Sequence, residues 1–239
     1  MESKKFTGIT GSTLKIIAII SMLIDHIGAV IFERELLNAE HILANPPLRQ
    51  QLYTIDRILR LIGRPAFPIF CFLLVEGFFH TRNVKKYAFR LFLFAFISEV
   101  PFDLALRGTF FYIKYQNVFF TLLVGLLVMI LADRYQENRW LQSLIFVAGL
   151  GAGYLLHSDY GYKGVLLIEI LYFFRFDKKM QALAGALSFS WEATAPLAFL
   201  PILAYNGKRG LQMRNFFYCF YPAHLLILTG ISQYLRTHI

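Results

Sequence analysis

Apolar residues run along this chain in long blocks broken by short polar clusters, a pattern that predicts membrane-crossing helices rather than the amphipathic helices of a soluble core. Residues 14–32, LKIIAIISMLIDHIGAVIF, set the theme: about 19 residues at 1.5 Å per residue match a hydrocarbon core of about 30 Å. Similar blocks are expected from residue 57 or 61 to 79, and over 87–106, 116–132, 140–156, 164–174 and 216–234. Between 180 and 205 the apolar run is interrupted by Trp191-Glu192, Pro196 and Pro201, which predicts two short helices in place of one straight span. Counting both, the expectation is an all-α polytopic transmembrane helical bundle of about nine spans (eight to ten), in a single domain over residues 1–239.

The polar connections give this bundle a direction. Basic clusters at Lys4-Lys5, 82–86, Arg134 and Arg139, 175–179 and 208–214 fall on one side if the spans alternate from a cytoplasmic N-terminus, which puts the C-terminus outside. The longest connection, 33–56, contains Asn45-Pro46-Pro47 and is expected to be an ordered or partly helical loop outside the membrane. No cleavable signal is read in the N-terminal residues, so the first apolar block is expected to stay as the first span.

Composition strengthens the membrane reading. Of 239 residues 57% are hydrophobic and 25 are Phe, far more apolar than an ordinary soluble domain. The net charge of +9 belongs in loops that fix topology and meet anionic lipid; without an isolated basic module, nucleic acid is not an expected partner. Cys71 and Cys219 sit inside apolar runs and read as packing residues, with no disulfide framework or thiolate metal site.

Candidate chemistry begins with Asp25-His26, an ionisable pair inside a span. An Asp near a helix centre costs roughly 2.5–3.5 kcal/mol on insertion scales, and such groups usually face a reaction site or an ion path. The bland alternative places both residues near the end of the span, capping the helix or meeting interfacial water. The sharper reading makes His26 a general base or acyl carrier. Helix neighbours point about 100° apart, so the group that orients His26 is expected from another helix. Glu99 is the candidate beside Pro101, with Glu76 as a second.

Other polar residues carry two readings each. Arg57, Arg60 and Arg64 share a helix face and either snorkel to headgroups, or Arg60 or Arg64 points inward to hold an anionic group. Glu76 and His80, four residues apart, lie one turn apart on one face. The run HTRNVKKYAFR, with Arg82, Lys85, Lys86 and Arg90, is either a topology signal or a cradle for a phosphorylated cofactor. Asp103 is expected near Glu99 on an irregular turn opened by Pro101. Asp159 and Tyr160, in a polar aromatic loop, read as caps or as lining of a substrate pocket; His157 and Asp159 lack a third ligand, so no metal is expected. Glu169, inside a span, requires a partner, and the last span carries Tyr221 and His224.

Taken in order, LKIIAIISMLIDHIGAVIF, GRPAFPIFCFLLVEGFFHTRNVKKYAFRLFLFAFISEVPFD, QNVFFTLLVGLL, DYGYKGVLLI, YNGKRG and FYPAHLLIL resemble the TraX family over nearly the whole chain. The family's Asp-His pair falls on Asp25 and His26, its FPIF..LVEGFFHTRN segment on 67–83, its SE.PFD on 98–103 and its YPAHL on 221–225. That family includes a conjugation-system protein that acetylates pilin, as well as fimbrial assembly proteins, and is similar in outline to larger membrane acyltransferases. The resemblance implies a bacterial inner-membrane enzyme that takes acetyl from acetyl-CoA and delivers it to an envelope acceptor, pilin being one such acceptor.

On this expectation His26, Asp25, Glu99 and Glu76 form the catalytic set. Arg82, Lys85, Lys86, Arg90 and His80 hold the acyl-CoA donor, and Arg60, Arg64, Asp103, Asp159, Tyr160 and His224 meet the acceptor. The competing classes are an ion-coupled carrier with Asp25, Glu76, Glu99 and Glu169 as its proton path, and a non-catalytic assembly factor for surface fibres.

Overall fold

A computed structural model describes residues 8–211 and 214–238; Lys4-Lys5 and residues 212–213 of the last basic loop lie outside them. The described residues are mainly helical, joined by turns and loops, with isolated bridges such as Ile9 to Tyr205 and no strand among them. Helix α1 (Gly11–Ile27) starts at Thr10, whose hydroxyl accepts from the Thr13 amide at 3.3 Å, and passes without a break into a π-helical turn, Gly28–Glu33. A short helix α2 (Glu40–Leu43) precedes α3 (Pro46–Gly63), which the Asn45 side chain caps and Pro46-Pro47 initiate. The 33–56 connection is therefore partly helical, and the second apolar helix begins well before residue 57.

Arg64-Pro65 interrupts that helix, and α4 (Ala66–His80) continues it. Then follow α5 (Val84–Arg107), α6 (Val118–Arg134), α7 (Arg139–Leu155), α8 (Gly161–Phe173), α9 (Lys178–Ser188), α10 (Phe199–Leu203) and α11 (Arg214–His238). Helix α5 runs straight through Pro101 and stops at Gly108, whose φ of 74° is the left-handed conformation glycine tolerates at a helix end. The irregular turn expected at Pro101 is thus absent, and Glu99 and Asp103 are one turn apart on a continuous helix.

Two stretches, Gly11–Asn38 and Pro46–His80, are long and apolar enough to cross a membrane. The exterior is apolar as well: Trp140 is 89% exposed and Phe89 64%, and Phe92, Phe96, Leu144, Val147, Leu226 and Ile227 point outward with them. So large an apolar exterior suits lipid rather than water, and the chain is a membrane protein.

Residues 178–205 form a hairpin. Helices α9 and α10 have 11 and 5 residues, well short of the ~20 a crossing needs. At their open ends Lys178 Nζ donates to the Tyr205 carbonyl. At the turn, the Thr194 hydroxyl donates to the Leu61 carbonyl, and Glu192 pairs with Arg64 at 2.9 Å, deep beside the break between α3 and α4. The two short helices expected here are present, but they leave one end of the bundle and return to it.

Candidate active site

Close helix approach builds the site. A Cβ on Gly63 of α3 would lie 2.7 Å from the Asp25 Cα, and one on Gly28 would lie 2.9 Å from the Arg60 Cδ. These reciprocal glycines let the end of α1 and the end of α3 meet backbone to backbone. Arg60 Nη1 consequently donates to Asp25 Oδ2 at 2.6 Å and to the Asp25 carbonyl at 3.0 Å, while its Nε faces Glu33 at 3.1 Å. Arg64 Nε, held by Glu192, is 3.9 Å from Asp25 Oδ1. The Asp25 carboxylate is turned toward two guanidiniums, away from its neighbour in sequence.

His26 points the other way, into α11. Its Nδ1 is 2.8 Å from His224 Nε2, and His224 Nδ1 is 2.8 Å from the Phe220 carbonyl. A carbonyl only accepts, so His224 Nδ1 carries a proton; in the neutral ring its Nε2 is then an acceptor, and His26 Nδ1 must be the donor. The proton assignment is inferred from this network, and it leaves His26 Nε2 with a free lone pair.

Two cavities approach this histidine. The distal one, about 400 Å³, is lined by Asp25, His26, Glu33 and Arg34 from α1 and its π-helical turn, Arg60 and Arg64 from α3, Phe102, Leu106 and Arg107 from α5, and Tyr115, Asp159 and Tyr160 from two loops. The loops are tied together: Asp159 N donates to the Gln116 carbonyl at 2.8 Å, and the Tyr115 hydroxyl to Asp159 Oδ1 at 3.0 Å. Burial raises the Asp159 carboxyl above its ordinary value, against the Tyr115 hydroxyl that favours the charged form. Tyr160 is held at a φ of 62°, a strained conformation for a bulky residue, with its ring stacked on Phe67 at 3.8 Å.

The proximal cavity, about 220 Å³, opens at the other end of the bundle, where α1 begins. Lys15, Glu76, His80, Arg90 and Arg209 supply its polar groups; Met22, Phe70, Leu73, Phe119 and Leu122 are among its apolar lining. Tyr221 also lines this cavity, and its ring centroid is 6.0 Å from that of His26, which lines the other. The wall between the two cavities is here two rings thick.

The family model for TraX protein matches residues 10–232. This chain belongs to the TraX family. A curated relative, the probable fimbrial assembly protein FimC, serogroup H1, of Dichelobacter nodosus, is 32% identical over 254 aligned residues, covering 93% of this chain and 96% of its own. No solved structure matches.

In this TraX chain the residues singled out from sequence divide between the two cavities and their surroundings. Asp25, His26, Arg60, Arg64, Asp159 and Tyr160 line the distal cavity together. His224 sits behind His26 as its hydrogen-bond partner and does not line either cavity. Neither carboxylate expected to orient His26 makes that contact. Glu99 binds Asn117, the cap of α6, and Glu76 lies at the proximal end, where His80 Nδ1 donates to its carbonyl at 2.8 Å. Asp103 accepts from the Tyr112 amide at 2.6 Å and anchors the loop after α5 without lining the cavity.

Of the expected donor-binding set, Arg90 and His80 line the proximal cavity, whereas Arg82, Lys85 and Lys86 are exposed beside it. Lys15, which the sequence reading passed over, and Arg209, which it read only as part of the 208–214 cluster, line this cavity as well. A lone lysine near the start of an apolar helix was the available signal for Lys15. Glu169 on α8 is buried, and its Oε1 has no hydrogen-bond partner among the described residues, in place of the partner expected.

Proposed function

We propose that this TraX-family protein is a membrane-embedded acyltransferase that carries acetyl from acetyl-CoA to an amine or hydroxyl of an envelope acceptor. The observation that supports it most is the pair of cavities meeting at His26 and Tyr221 from opposite ends of the bundle. A donor and an acceptor entering from opposite ends meet at these two rings, which must part for the attacking atom and the thioester carbonyl to come within about 3–3.5 Å. The proximal cavity suits a CoA arm: basic groups at its mouth for phosphates, including Arg90 with its buried Nε free of hydrogen bonds, and an apolar depth for the pantetheine chain.

In this reading His26 Nε2 takes the proton of the acceptor as the acceptor's nitrogen or oxygen attacks the thioester carbonyl. The carbon–sulfur bond breaks, its electron pair leaves on sulfur, and the proton held by His26 passes to that thiolate, giving CoA and the acetylated acceptor. Arg60 and Arg64, already neutralised in part by Asp25, Glu33 and Glu192, orient the acceptor in the distal cavity.

The proximal end is cytoplasmic, where the basic loops are. In this reading the bundle has seven crossings, the short α8 of 13 residues among them, and a hairpin over 178–205 that returns to its own side. The C-terminus remains outside, and the membrane is the bacterial inner membrane. A role in pilus or fimbrial assembly is drawn from the naming of the relative, with pilin one acceptor.

The test is CoA release from acetyl-CoA by the protein purified in detergent, with and without cell-envelope extract. His26→Ala is expected to abolish extract-dependent release while expressing normally. Full release by the variant would remove His26 from the mechanism. Absence of both release and acetyl-CoA binding in the unaltered protein would favour the second reading, an assembly factor without catalysis, to which the name of the relative also points.

A further inference from the structure

His224 lines neither cavity, yet it takes up the one ring nitrogen of His26 that the proposed reaction does not use. We propose that His26 and His224 act as a single proton-holding unit, with His224 as the positioning residue that accepts a proton from His26 when His26 Nε2 is loaded from the acceptor side. This rests on the acyltransferase reading for its role in turnover, but the geometry of the pair stands apart from that reading.

The chain of donors runs one way. His26 Nδ1–H points at the lone pair of His224 Nε2 at 2.8 Å, and His224 Nδ1–H is anchored on the Phe220 carbonyl at 2.8 Å. When a proton arrives at His26 Nε2, the Nδ1 proton can cross to His224 Nε2. His224 then has both nitrogens protonated and His26 is neutral again, so no atom is gained or lost beyond the one proton taken up. Reversal of the same transfer returns that proton to the leaving thiolate. Both rings are enclosed, His26 at 9% and His224 at 4% exposure, so bulk water does not solvate the charge as the pair holds it.

A carboxylate in the place of His224 would fix His26 as a permanent half of an ion pair. A second imidazole holds it neutral at rest and shares the charge only when a proton is present. Among the described residues, His224 Nε2 is the partner that His26 Nδ1 takes. Facing His26 from the packed elements are Asp25 beside it in sequence, Arg60 and Arg64 from α3, Tyr221 from α11, Tyr115 from the loop before α6, Asp159 and Tyr160 from the loop before α8, Glu33 and Arg34 from the π-helical turn, and Arg107 from α5. Asp25, the nearest carboxylate in sequence, is occupied by the arginines.

His224→Gln separates orientation from proton holding, because its carboxamide oxygen accepts from His26 Nδ1 but takes up no proton. With acetyl-CoA and envelope extract, the variant is expected to keep its expression, unfolding midpoint and acceptor KM, to lose ~10²-fold or more in kcat, and to move the acid limb of its pH profile. A kcat within a few-fold of the unaltered protein on an unmoved limb would overturn the proposal.

The second measurement needs no turnover. In protein labelled with nitrogen-15 at histidine, with the signals assigned by His26→Gln and His224→Gln, both rings are expected to carry their proton on Nδ1 at neutral pH and to take up one proton between them as pH falls before either takes a second. His26 protonated on Nε2 at rest, or two independent single-proton titrations, would overturn the proposal. Failure of the unaltered protein to release CoA would count against the acyltransferase reading alone, and the nitrogen spectra would still decide the pair.

Discussion

Asp25 and His26 share a peptide bond and almost nothing else. A residue on a helix points about 100° from the next, so Asp25 reaches α3 and His26 reaches α11. The consequence is a division of labour, with one side chain fixing the crossing of α1 and α3 and the other paired with α11. Removing Arg60 leaves the Asp25 carboxylate half-paired in a poorly solvated place. Arg60→Ala is accordingly expected to destabilise by about 3 kcal/mol or more, read as a lower midpoint of unfolding in detergent. Adding Asp25→Ala should recover much of that loss, since coupled neighbours do not add; simple additivity in the cycle would mean that the ion pair does not hold α1 to α3.

The sequence alone pointed to His26 because an imidazole inside an apolar run stands out at once. Its partner was another matter: His224 lies 198 residues away, and nothing in the local pattern of either helix names the other. Glu99 looked a better orienter because a carboxylate beside a proline is conspicuous, yet its real task is to hold the α6 cap through Asn117. Lys15 was hidden differently, as an ordinary charge at the start of a span.

Elements that break their own regularity position the site. The π-helical turn Gly28–Glu33 follows directly after Asp25-His26, and the α3–α4 break at Arg64-Pro65 sits across from it. Such interruptions expose backbone groups and are tolerated within an apolar bundle where neighbours or a cavity satisfy them. Thr194 supplies one such neighbour, donating to the Leu61 carbonyl near the break. Pro65 stands at this break, and the prolines of 180–205 made the two short helices legible. What they did not tell was that those helices fold back, since a hairpin and two crossings share the same apolar composition.

The glycines at the crossing carry a prediction of their own. Gly63→Ala places a methyl group against the Asp25 backbone, an overpacking expected to cost about 1–3 kcal/mol. Activity should fall further than stability, because the helix separation that relieves the clash also draws Asp25 out of reach of Arg60 and Arg64. Unchanged CoA release and an unchanged unfolding midpoint in the variant would show that the crossing has slack.

At the scale of the whole molecule, the two cavities make the bundle a vessel with openings at both ends. In the proposed orientation one opening faces the cytoplasm and the other the envelope, and the rings of His26 and Tyr221 are the partition. Such a partition also has an electrical duty. Each elementary charge that crosses a membrane held at 100 mV dissipates about 2.3 kcal/mol, so an enzyme that passes an acetyl group through a hole it cannot close would drain the cell that makes it. The bulk of Tyr221 is then insulation. Tyr221→Ala in proteoliposomes is expected to collapse an imposed pH gradient faster than the unaltered protein; equal rates of decay would place the seal elsewhere. Cells carrying the variant would run down the gradient that drives their other transport.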